Sequence, residues 1–548
     1  MRNALILLRR AAAALAATTT LMACGGGGGG ETAVAPPPTD PGAGLPPVDV
    51  SSVAAADPGS ALPPGWQQGA FMEIFVRSYK DSNGDGIGDL RGLIGQLDYL
   101  RDLGVTGLWL MPVTQSQDRD HGYAVSDYRA IEAQYGSLAD FDELLRQAHA
   151  RGIGIVIDYV FNHSAAQNPL FVQSRSGASN AYRDWYLWAG LKPTGWSIYG
   201  NDPWRGSTGN YYFAPFWDQM PDWNLRNASV VAYHHDNLRF WLNRGVDGFR
   251  LDAVGNLVEN GASAWENQPE NLALLRNVRT LMNGYAQRFL VCEGPSDPFG
   301  YTAACGSAFA FNNTANLIAA AKGDAAAVAR VAAFPQNAPA GLSTMLSNHD
   351  SFAGQRAYDQ FGGNLAQYRL AAATYLLQPG TPFIYYGEEV GMAGGGSLSG
   401  DPKLRTPMSW TGSTATAGFT TGTPYRSLSA NVAGFNVAAQ QADPNSLLAF
   451  YKAMLALRKA HPAIAAGSYD NVVVDGSAMT FQRRLDTDRV VVAINYGTSA
   501  AALAVPGLPA GATLRSLFPA ASGDVVVGAD QRANISLAGQ SLRVFASP

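Results

Sequence analysis

The sequence predicts an α/β fold: a TIM (β/α)8 barrel with a long insertion after its third strand and a C-terminal antiparallel β domain. Short apolar runs alternate with helix-patterned segments along most of the chain, as in repeated β/α units. One gap between these units spans about sixty residues. After about residue 445 the pattern changes to alternating polar and apolar residues, which is typical of antiparallel strands.

Length and composition indicate a large globular protein. The chain has 548 residues, of which 47% are hydrophobic, so two to three folded units with ample core material are expected. The formal net charge of -5 gives no general attraction to nucleic acid, and no nucleic-acid partner is predicted. A monomer is expected.

The N-terminal residues indicate export. Arg2, Arg9 and Arg10 precede an apolar run, and the segment 1–23 is predicted to be a signal peptide. Its end resembles a bacterial lipoprotein signal, which implies that Cys24 is acylated and becomes the mature N-terminus. The alternative is a plain secretory signal with an incidental cysteine. Both place the protein outside the cytoplasm, either as a cell-envelope lipoprotein (periplasmic or on the outer surface) or as a secreted protein.

Residues 24–65 are rich in Gly and Pro and lack apolar periodicity, so we expect a flexible tether. A tether is useful when its end is held, which favours the lipid anchor as the only membrane contact. The two remaining cysteines, Cys292 and Cys305, form either a disulfide in an oxidising envelope or two buried thiols.

The barrel is predicted over residues 66–440. Its strand candidates are apolar on both faces, as strands of a covered parallel sheet should be. The eight candidates are 70–75, 107–111, 153–159, 248–252, 289–293, 308–311, 343–346 and 383–386.

Helical patterns fill the intervals between these strands. Leucines at helix spacing run from Leu90 to Leu103 and stop at Gly104, and Ser137 is a suitable cap for the helix that follows it. The segment 162–228, rich in Trp, Tyr, Gly and Pro, is predicted to be an inserted loop domain above the active face. Residues 445–548 are predicted to form a β-sandwich domain preceded by one helix.

Polar clusters follow four of the predicted strands, at the barrel face where TIM-barrel chemistry takes place. They contain carboxylates together with histidine and arginine side chains, which is an acid/base set. The clusters are 158–163, 248–252, 291–293 and 347–350.

These four segments resemble the four sequence regions of the α-amylase family, in the family's order and on the expected strands. The likeness runs from about Phe71 to His461. It implies a retaining α-glucan hydrolase. The segment Gln219-Met-Pro-Asp-Trp-Asn224 resembles the family's variable fifth region, in the form that marks a group intermediate between oligo-1,6-glucosidases and neopullulanases. Its Trp223 stands where Leu is common, which could widen or block a subsite.

The resemblance also implies residue roles. Asp252 is the expected nucleophile and Glu293 the expected general acid/base, while Asp350 is the third carboxylate, which grips and distorts the sugar. Retaining pairs of carboxyls lie about 5–5.5 Å apart. Arg250, two residues before Asp252 on the same strand face, is expected to hold the nucleophile's charge.

Five further residues are implied to contact substrate. His163 and His349 resemble the family's transition-state hydrogen-bond donors. His121 and Tyr123 resemble the loop that stacks a tyrosine under the reacting sugar. Arg405 matches a late family segment and is expected to line the site.

The segment 81–89 is a predicted calcium loop. Oxygen-bearing side chains alternate there with glycines, which suits a hard cation, but Gly92 stands where an EF-hand needs Glu. The segment resembles the calcium loop after the first strand in oligosaccharide-active members of the family. The alternative is an Asx-rich turn without metal. The implied Ca²⁺ ligands are Asp81, Asn83, Asp85, the Ile87 carbonyl and Asp89.

A further calcium site in many family members uses the residue equivalent to Asn162 and a His carbonyl four residues past the nucleophile. This chain has Asn256 at that place, which puts the second site in doubt.

The predicted function is hydrolysis of α-1,4-glucosidic bonds in starch, maltodextrins or maltooligosaccharides. Ala253 stands where α-1,6-specific relatives usually have Val, which favours α-1,4 bonds; Gly294 and Pro295 replace a frequent Val-Trp pair on the leaving-group side. The alternatives are an exo-acting α-glucosidase, a glucosyl transferase similar to trehalose synthase, and a non-catalytic glycan-binding protein, which would be expected to lack a catalytic carboxylate.

Overall fold

The structure is a computed structural model that describes residues 47–548. The predicted signal peptide, Cys24 and most of the predicted tether lie outside these residues. No helix within the described range is long and apolar enough to cross a membrane.

The last part of the predicted tether is bound to the barrel, so the prediction of a flexible segment as far as residue 65 is wrong. The Val53 N–H donates to Asp236 at 3.0 Å, and the Ala56 N–H donates to Asn243 at 2.9 Å. The guanidinium of Arg129 donates to the Ser51 carbonyl at 2.8 Å. Gly and Pro content alone did not distinguish a free tether from an extended strap fixed by such bonds.

The described chain forms a seven-stranded parallel sheet that is almost closed. Two further parallel bridges, Cys292 to Ala308 and Phe309 to Ser343, supply the missing sixth strand position and complete the predicted barrel. The seven strands are Phe71–Ile74, Gly107–Leu110, Gly154–Tyr159, Gly248–Leu251, Phe289–Cys292, Ser343–Thr344 and Thr381–Tyr385.

Side-chain alternation along these strands fills the barrel interior. Phe71, Phe289 and Phe383 stack at its lower level, with ring centroids 4.9 Å apart from Phe71 to each partner. Trp66 covers the bottom of the barrel, 5.5 Å from Phe71. Because the lower interior is packed with apolar rings, the polar inward-facing residues are confined to the carboxyl ends of the strands.

Helices surround the barrel. The helix Leu138–His149 begins with a capping box, in which Ser137 and Asp140 satisfy each other's backbone N–H groups, as the sequence indicated for Ser137. The longer helices are Leu97–Leu103, Leu138–His149, Ala228–Asn243, Pro269–Met282, Pro298–Cys305, Phe311–Ala321, Ala325–Asn337, Leu365–Leu377 and Leu447–Ala460, and the shorter ones are Val76–Tyr79, Leu90–Ile94, Ala357–Gln360, Val437–Gln441 and Pro462–Ala466.

The insertion after the third strand carries secondary structure of its own. A helix, Pro169–Ser176, precedes a small antiparallel sheet in which Asn210–Phe213 pairs with both Trp188–Ala189 and Trp204–Ser207. A second hairpin, Thr114–Ser116 with Val125–Ile131, follows the second barrel strand and presents its turn on the same face.

The C-terminal region consists of two antiparallel sheets that begin at Ser468. Residues 490, 492 and 494 pack into the main core, while Val491 and Ala493 pack into a separate small core between the two sheets. The larger sheet contains, in order, Ser468–Asp475, Ala478–Leu485, Asp488–Asn495, Ser541–Ser547, Thr513–Phe518 and Val525–Val526, and the smaller contains Ala501–Val505 and Ala533–Leu537.

Cys292 and Cys305 form a disulfide, which settles the alternative left open by the sequence. The bridge joins the end of the fifth barrel strand to the end of the helix Pro298–Cys305. Since Glu293 directly follows Cys292, the bridge anchors the strand end that carries this carboxylate.

Candidate active site

A single guanidinium lies at the centre of the polar strand ends. Nη1 of Arg250 lies 2.6 Å from Oδ1 of Asp252 and 2.9 Å from both carboxylate oxygens of Asp158. Nη2 lies 2.8 Å from Oε2 of Glu293. Arg250 is fully buried, so its charge is offset mainly by these neighbouring carboxylates rather than by solvent. The positions of Asp252 and Glu293, each directly after a strand, bring them to this centre.

The two carboxyls have different proton affinities. Burial raises the pKa of Asp252 to about 6, against the opposing effect of Arg250. Burial raises the pKa of Glu293 further, to about 7, again against Arg250. The backbone N–H of Ala253 donates to Oε2 of Glu293 at 3.0 Å, and Ala253 has a left-handed backbone with φ of 46°. The site therefore contains one more acidic and one less acidic carboxyl, which suits two roles at one pH.

Asp350 contacts two other cationic side chains, those of Arg405 and His349. Arg405 Nη2 lies 2.8 Å from its Oδ1, and His349 Nε2 lies 3.1 Å from its Oδ2. His349 Nδ1 donates to Oε1 of Glu73 at 2.6 Å. Burial alone would lower the pKa of His349, but Asp350 and Glu73 raise it to about 10. Burial likewise opposes ionisation of Asp350, yet the charge of His349 holds the pKa of Asp350 well below its usual range.

Tyr123 connects the carboxylates around Arg250 with the pair formed by His349 and Asp350. Its hydroxyl donates to Oδ2 of Asp158 at 2.9 Å and lies 2.7 Å from Nε2 of His349. Its ring stacks on that of His349 with centroids 5.5 Å apart. His121, from the same turn, accepts the Tyr123 N–H on Nδ1 at 3.0 Å, and burial lowers the pKa of His121. The structure thus brings this predicted pair to the site.

His163 lies at the edge of the inserted segment. Burial lowers its pKa to about 3, so the ring is neutral. Its Nε2 is buried and has no hydrogen-bond partner among residues 47–548. An unsatisfied buried nitrogen of this kind is available to a ligand group. With His163 included, all nine predicted catalytic and substrate-binding residues lie on the polar face of the barrel.

Sequence reasoning assigned no role to three residues of the site. Glu73 and Asp158 are charged residues inside otherwise apolar buried strands, and that contrast was the signal for both. Trp109 donates its indole N–H to Oδ2 of Asp158 at 3.2 Å. Its type carries no such signal, because tryptophan is equally a core residue.

Trp223 does not line the site. Its ring is buried, stacks on Tyr186 with centroids 4.4 Å apart, and donates its N–H to the Tyr128 hydroxyl at 3.1 Å. The prediction that it widens or blocks a subsite is wrong, because the side chain packs into the core beneath the insertion.

The segment 81–89 curls through successive Asx turns. Asp81 accepts four hydrogen bonds, from the backbone of residues 83, 84 and 86 and from the hydroxyl of Thr420. Asn83 and Asp85 each accept one bond from the residue two further on. No cluster of three His, Cys, Asp or Glu side chains with metal-holding geometry occurs in the described part of the chain. A cation here would need the amide oxygen of Asn83 and the Ile87 carbonyl as well.

A second group of oxygens lies beside His163. The Oδ1 atom of Asn162 and both carboxylate oxygens of Asp222 are buried without a hydrogen-bond partner among the described residues. The backbones of His163 and Asp222 pair directly, which holds the two segments together. Unsatisfied buried oxygens are costly, and this set fits a hard cation.

The family model described as "Alpha amylase, catalytic domain" matches residues 73–467. The match begins within the first barrel strand, at its third residue. It includes the other barrel strands, the inserted segment and all three carboxylates.

The chain is similar to an oligo-1,6-glucosidase of Parageobacillus thermoglucosidasius, with 31% identity over 80% of this chain and 92% of that protein. It is 33% identical to alpha-amylase 3 of Dictyoglomus thermophilum, over 79% of this chain and 85% of the relative. Among solved structures, an alpha-glucosyl transfer enzyme superposes with a TM-score of 0.76 at 30% identity, covering 89% of this chain and all of the other.

Proposed function

This chain belongs to the alpha-amylase catalytic domain family of α-glucan-active glycoside hydrolases and transferases, and on that premise we propose that it hydrolyses α-1,4-glucosidic bonds by a retaining double displacement. The proposed substrates are starch, maltodextrins and maltooligosaccharides. The protein is an enzyme.

One observation carries the proposal: the same guanidinium contacts Asp252 through Nη1 and Glu293 through Nη2. The two nitrogens of a guanidinium are close neighbours, so the carboxyls they hold are close as well. Retaining enzymes need carboxyls about 5–5.5 Å apart, whereas inverting enzymes leave room for a water at about 6.5–9.5 Å. The shared guanidinium brings both carboxyls to one sugar, and we propose the retaining separation because the sequence resembles retaining hydrolases.

In the first step, Asp252 attacks the anomeric carbon while Glu293 gives its proton to the departing glycosidic oxygen. The C–O bond to the leaving sugar breaks as the ester to Asp252 forms. The higher pKa of Glu293 leaves the proton on this carboxyl while Asp252 is ionised. Arg250 stabilises the Asp252 carboxylate before attack.

In the second step, Glu293 accepts a proton from water, and the resulting hydroxide equivalent displaces Asp252 from the sugar. Asp350, kept ionised by His349 and Arg405, accepts hydrogen bonds from the hydroxyls of the bound sugar. The unsatisfied Nε2 of neutral His163 is a further hydrogen-bonding atom for that sugar. These contacts strengthen as the ring flattens in the transition state.

A second candidate function is glucosyl transfer, in which a sugar hydroxyl replaces water in the second step. The likeness to an alpha-glucosyl transfer enzyme supports this candidate. The chemistry of the two carboxyls is the same in both, and exclusion of water decides between them. Product analysis on starch, maltoheptaose, maltose and sucrose side by side tests the proposal. Shorter maltooligosaccharides from starch support α-1,4 hydrolysis; products longer than the substrate support transfer.

We propose that calcium binds at the loop formed by residues 81–89. Asn162 and Asp222 form a second, separate candidate site for a cation. Support comes from the all-oxygen donor sets and from the unsatisfied oxygens at the second place. A cation bound only by the folded chain raises its stability, so EDTA should lower the Tm. An Asp85→Ala variant separates the loop from the second place, since it removes one donor from the loop alone. No Tm shift, with no metal found by elemental analysis, would remove this proposal.

Export and lipid anchoring through Cys24 are also proposed, supported by the basic and apolar residues that precede this cysteine. Labelling with radioactive palmitate in a bacterial host is expected to mark the protein but not its Cys24→Ser variant. Equal labelling of both would exclude the anchor.

A further inference from the structure

A single short helix holds the chain on both sides of Glu293. This helix, Pro298–Cys305, which we call the anchoring helix, begins shortly after Glu293 along the chain. Its last residue is bridged to Cys292, the residue directly before Glu293, and both cysteines are buried. The covalent bond therefore fixes the strand end that carries the proposed general acid relative to the anchoring helix.

The residue directly after Glu293 rests on the same helix. Gly294 is buried against the ring of Tyr301, so closely that a Cβ atom on Gly294 would lie 2.0 Å from Cδ2 of that ring. A side chain cannot fit in that distance, so only glycine allows this approach. The Tyr301 side chain is itself buried. The absence of a side chain after Glu293 is therefore what allows the tyrosine ring to pack there.

The hydroxyl of Tyr301 links the anchoring helix to the loop that follows the nucleophile. It donates to Oδ1 of Asn267 at 2.8 Å, and the Asn267 N–H donates to the carbonyl of Gly255 at 2.8 Å. Gly255 lies in the turn Val254–Asn256, shortly after Asp252. Asn267 has a left-handed backbone with φ of 55°, a conformation that asparagine adopts more readily than most residues. The side chain of Tyr301 therefore contacts the segment after Glu293 and is connected to the loop after Asp252.

Two direct bonds join these segments close to the carboxyls. The Val254 N–H donates to the Glu293 carbonyl at 3.1 Å, and the Ala253 N–H donates to Oε2 of Glu293 at 3.0 Å. A movement of the segment after Glu293 would therefore change the place of its carboxyl relative to Asp252. Attack by one group and protonation by the other occur in the same step, so their relative placement affects the rate.

We propose that Tyr301 is a positioning residue for Glu293, which it holds at the glycosidic oxygen by fixing the backbone that follows this carboxyl. This inference rests on the proposed function. Tyr301 acts through Gly294 and Asn267, so its loss displaces the acid while Asp252 keeps its contact with Arg250. A displaced acid donates its proton less effectively. The loss should therefore slow only those reactions in which the leaving group needs a proton.

Two aryl α-maltosides distinguish such reactions. 4-Methoxyphenolate is a poor leaving group that needs the proton of Glu293, whereas 2,4-dinitrophenolate leaves without a proton. Both leaving groups are single aromatic rings, so their contacts with the enzyme are similar. The ratio of the two kcat/KM values, 4-methoxyphenyl over 2,4-dinitrophenyl, therefore measures proton donation rather than folding or binding.

The test measures this ratio for Tyr301→Ala, Tyr301→Phe and the wild type. In Tyr301→Ala the ratio should fall about tenfold, because the value for the 4-methoxyphenyl maltoside falls while the other stays within about twofold. Tyr301→Phe keeps the ring on Gly294 and loses only the bond to Asn267, so a smaller fall of about threefold is expected.

Tyr285→Phe is the matched control. The Tyr285 hydroxyl also donates to an asparagine, Asn243, at 2.6 Å, but it lies just before the amino end of the strand Phe289–Cys292, away from the carboxyls. This variant removes the same kind of hydrogen bond, and its ratio should equal that of the wild type.

Gly294→Ala tests the contact from its other partner. The added Cβ atom displaces the segment after Glu293 from the Tyr301 ring, so the ratio should again fall about tenfold. In the Tyr301→Ala background the same change should add little, because the ring that the Cβ atom meets is gone.

Equal losses on both maltosides in Tyr301→Ala would show that the tyrosine supports the whole site and would overturn the proposal. If Tyr301→Ala does not fold, the other two variants decide: an unchanged ratio in both Tyr301→Phe and Gly294→Ala would overturn the proposal too. A wild-type enzyme that released neither phenol would instead refute the proposed function, and the role of Tyr301 with it.

Discussion

Nη1 of Arg250 lies 2.6 Å from Oδ1 of Asp252, while the other terminal nitrogen of the same side chain contacts Glu293 at 2.8 Å. The planar fork of one guanidinium thus lies against both carboxyls of the proposed mechanism, with a hydrogen bond to Asp252 and an ion pair to Glu293. A lysine has a single charged nitrogen and cannot contact both with the same geometry.

Arg250→Lys should therefore fold but lose most of its activity. We expect kcat to fall by about 100-fold or more, because neither carboxyl keeps its orientation. Circular dichroism with a thermal melt checks the fold, and steady-state kinetics on maltopentaose checks the activity. Activity within twofold of the wild type would show that the fork is not needed.

Glu293→Gln and Asp252→Asn should differ on an activated substrate. Glu293→Gln cannot protonate a sugar leaving group and should lose about 10³-fold on maltopentaose. Fluoride leaves without a proton, so this variant should still release one burst of fluoride per active site from α-maltosyl fluoride. Asp252→Asn should give no burst, because the nucleophile is missing. A burst from Asp252→Asn and none from Glu293→Gln would reverse the assigned roles.

The pH dependence follows from the two raised pKa values. At a pH below about 6, the pKa of Asp252, this carboxyl is protonated and cannot attack. At a pH above about 7, the pKa of Glu293, this carboxyl has lost the proton that it must donate. The kcat/KM profile of the wild type should therefore be a narrow bell with its maximum between these values. Glu293→Gln, assayed by its fluoride burst, should retain the acidic limb and lose the alkaline one. A flat profile between about pH 5 and 8 would contradict these roles.

The disulfide between Cys292 and Cys305 should stabilise the fold. A bridge that closes a short loop typically contributes about 3 kcal/mol. Replacing both cysteines with serine should lower the Tm by several degrees, and dithiothreitol should lower the wild-type Tm to the same value. The double variant is its own control, since reductant should leave it unchanged. Identical melting curves for all four samples would show that the bridge does not stabilise the enzyme.

Much of the site was predictable because strand alternation is regular. Asp252, Glu293 and the histidines follow apolar strands at their carboxyl ends, and parallel strands bring these ends together. Sequence alone also distinguished the barrel from the C-terminal β region, since the apolar period changes from helix to strand spacing near the boundary.

Other features depend on contacts that no local pattern encodes. The strap from Asp49 to Asp57 is fixed by side chains distant in sequence, and its composition resembles that of a free linker. The burial of Trp223 depends on how the insertion packs against the barrel. The left-handed backbone at Ala253 and at Tyr199 also gave no local signal, because neither residue favours it.

The most direct measurement is to trap the covalent intermediate. A 5-fluoroglycosyl fluoride reacts with a retaining glucosidase and slows both steps, so that the glycosyl enzyme accumulates. Mass spectrometry of a peptic digest should then show one added fluoroglycosyl group, located on Asp252. An active enzyme that forms no adduct, or carries it on another residue, would contradict the double displacement at Asp252.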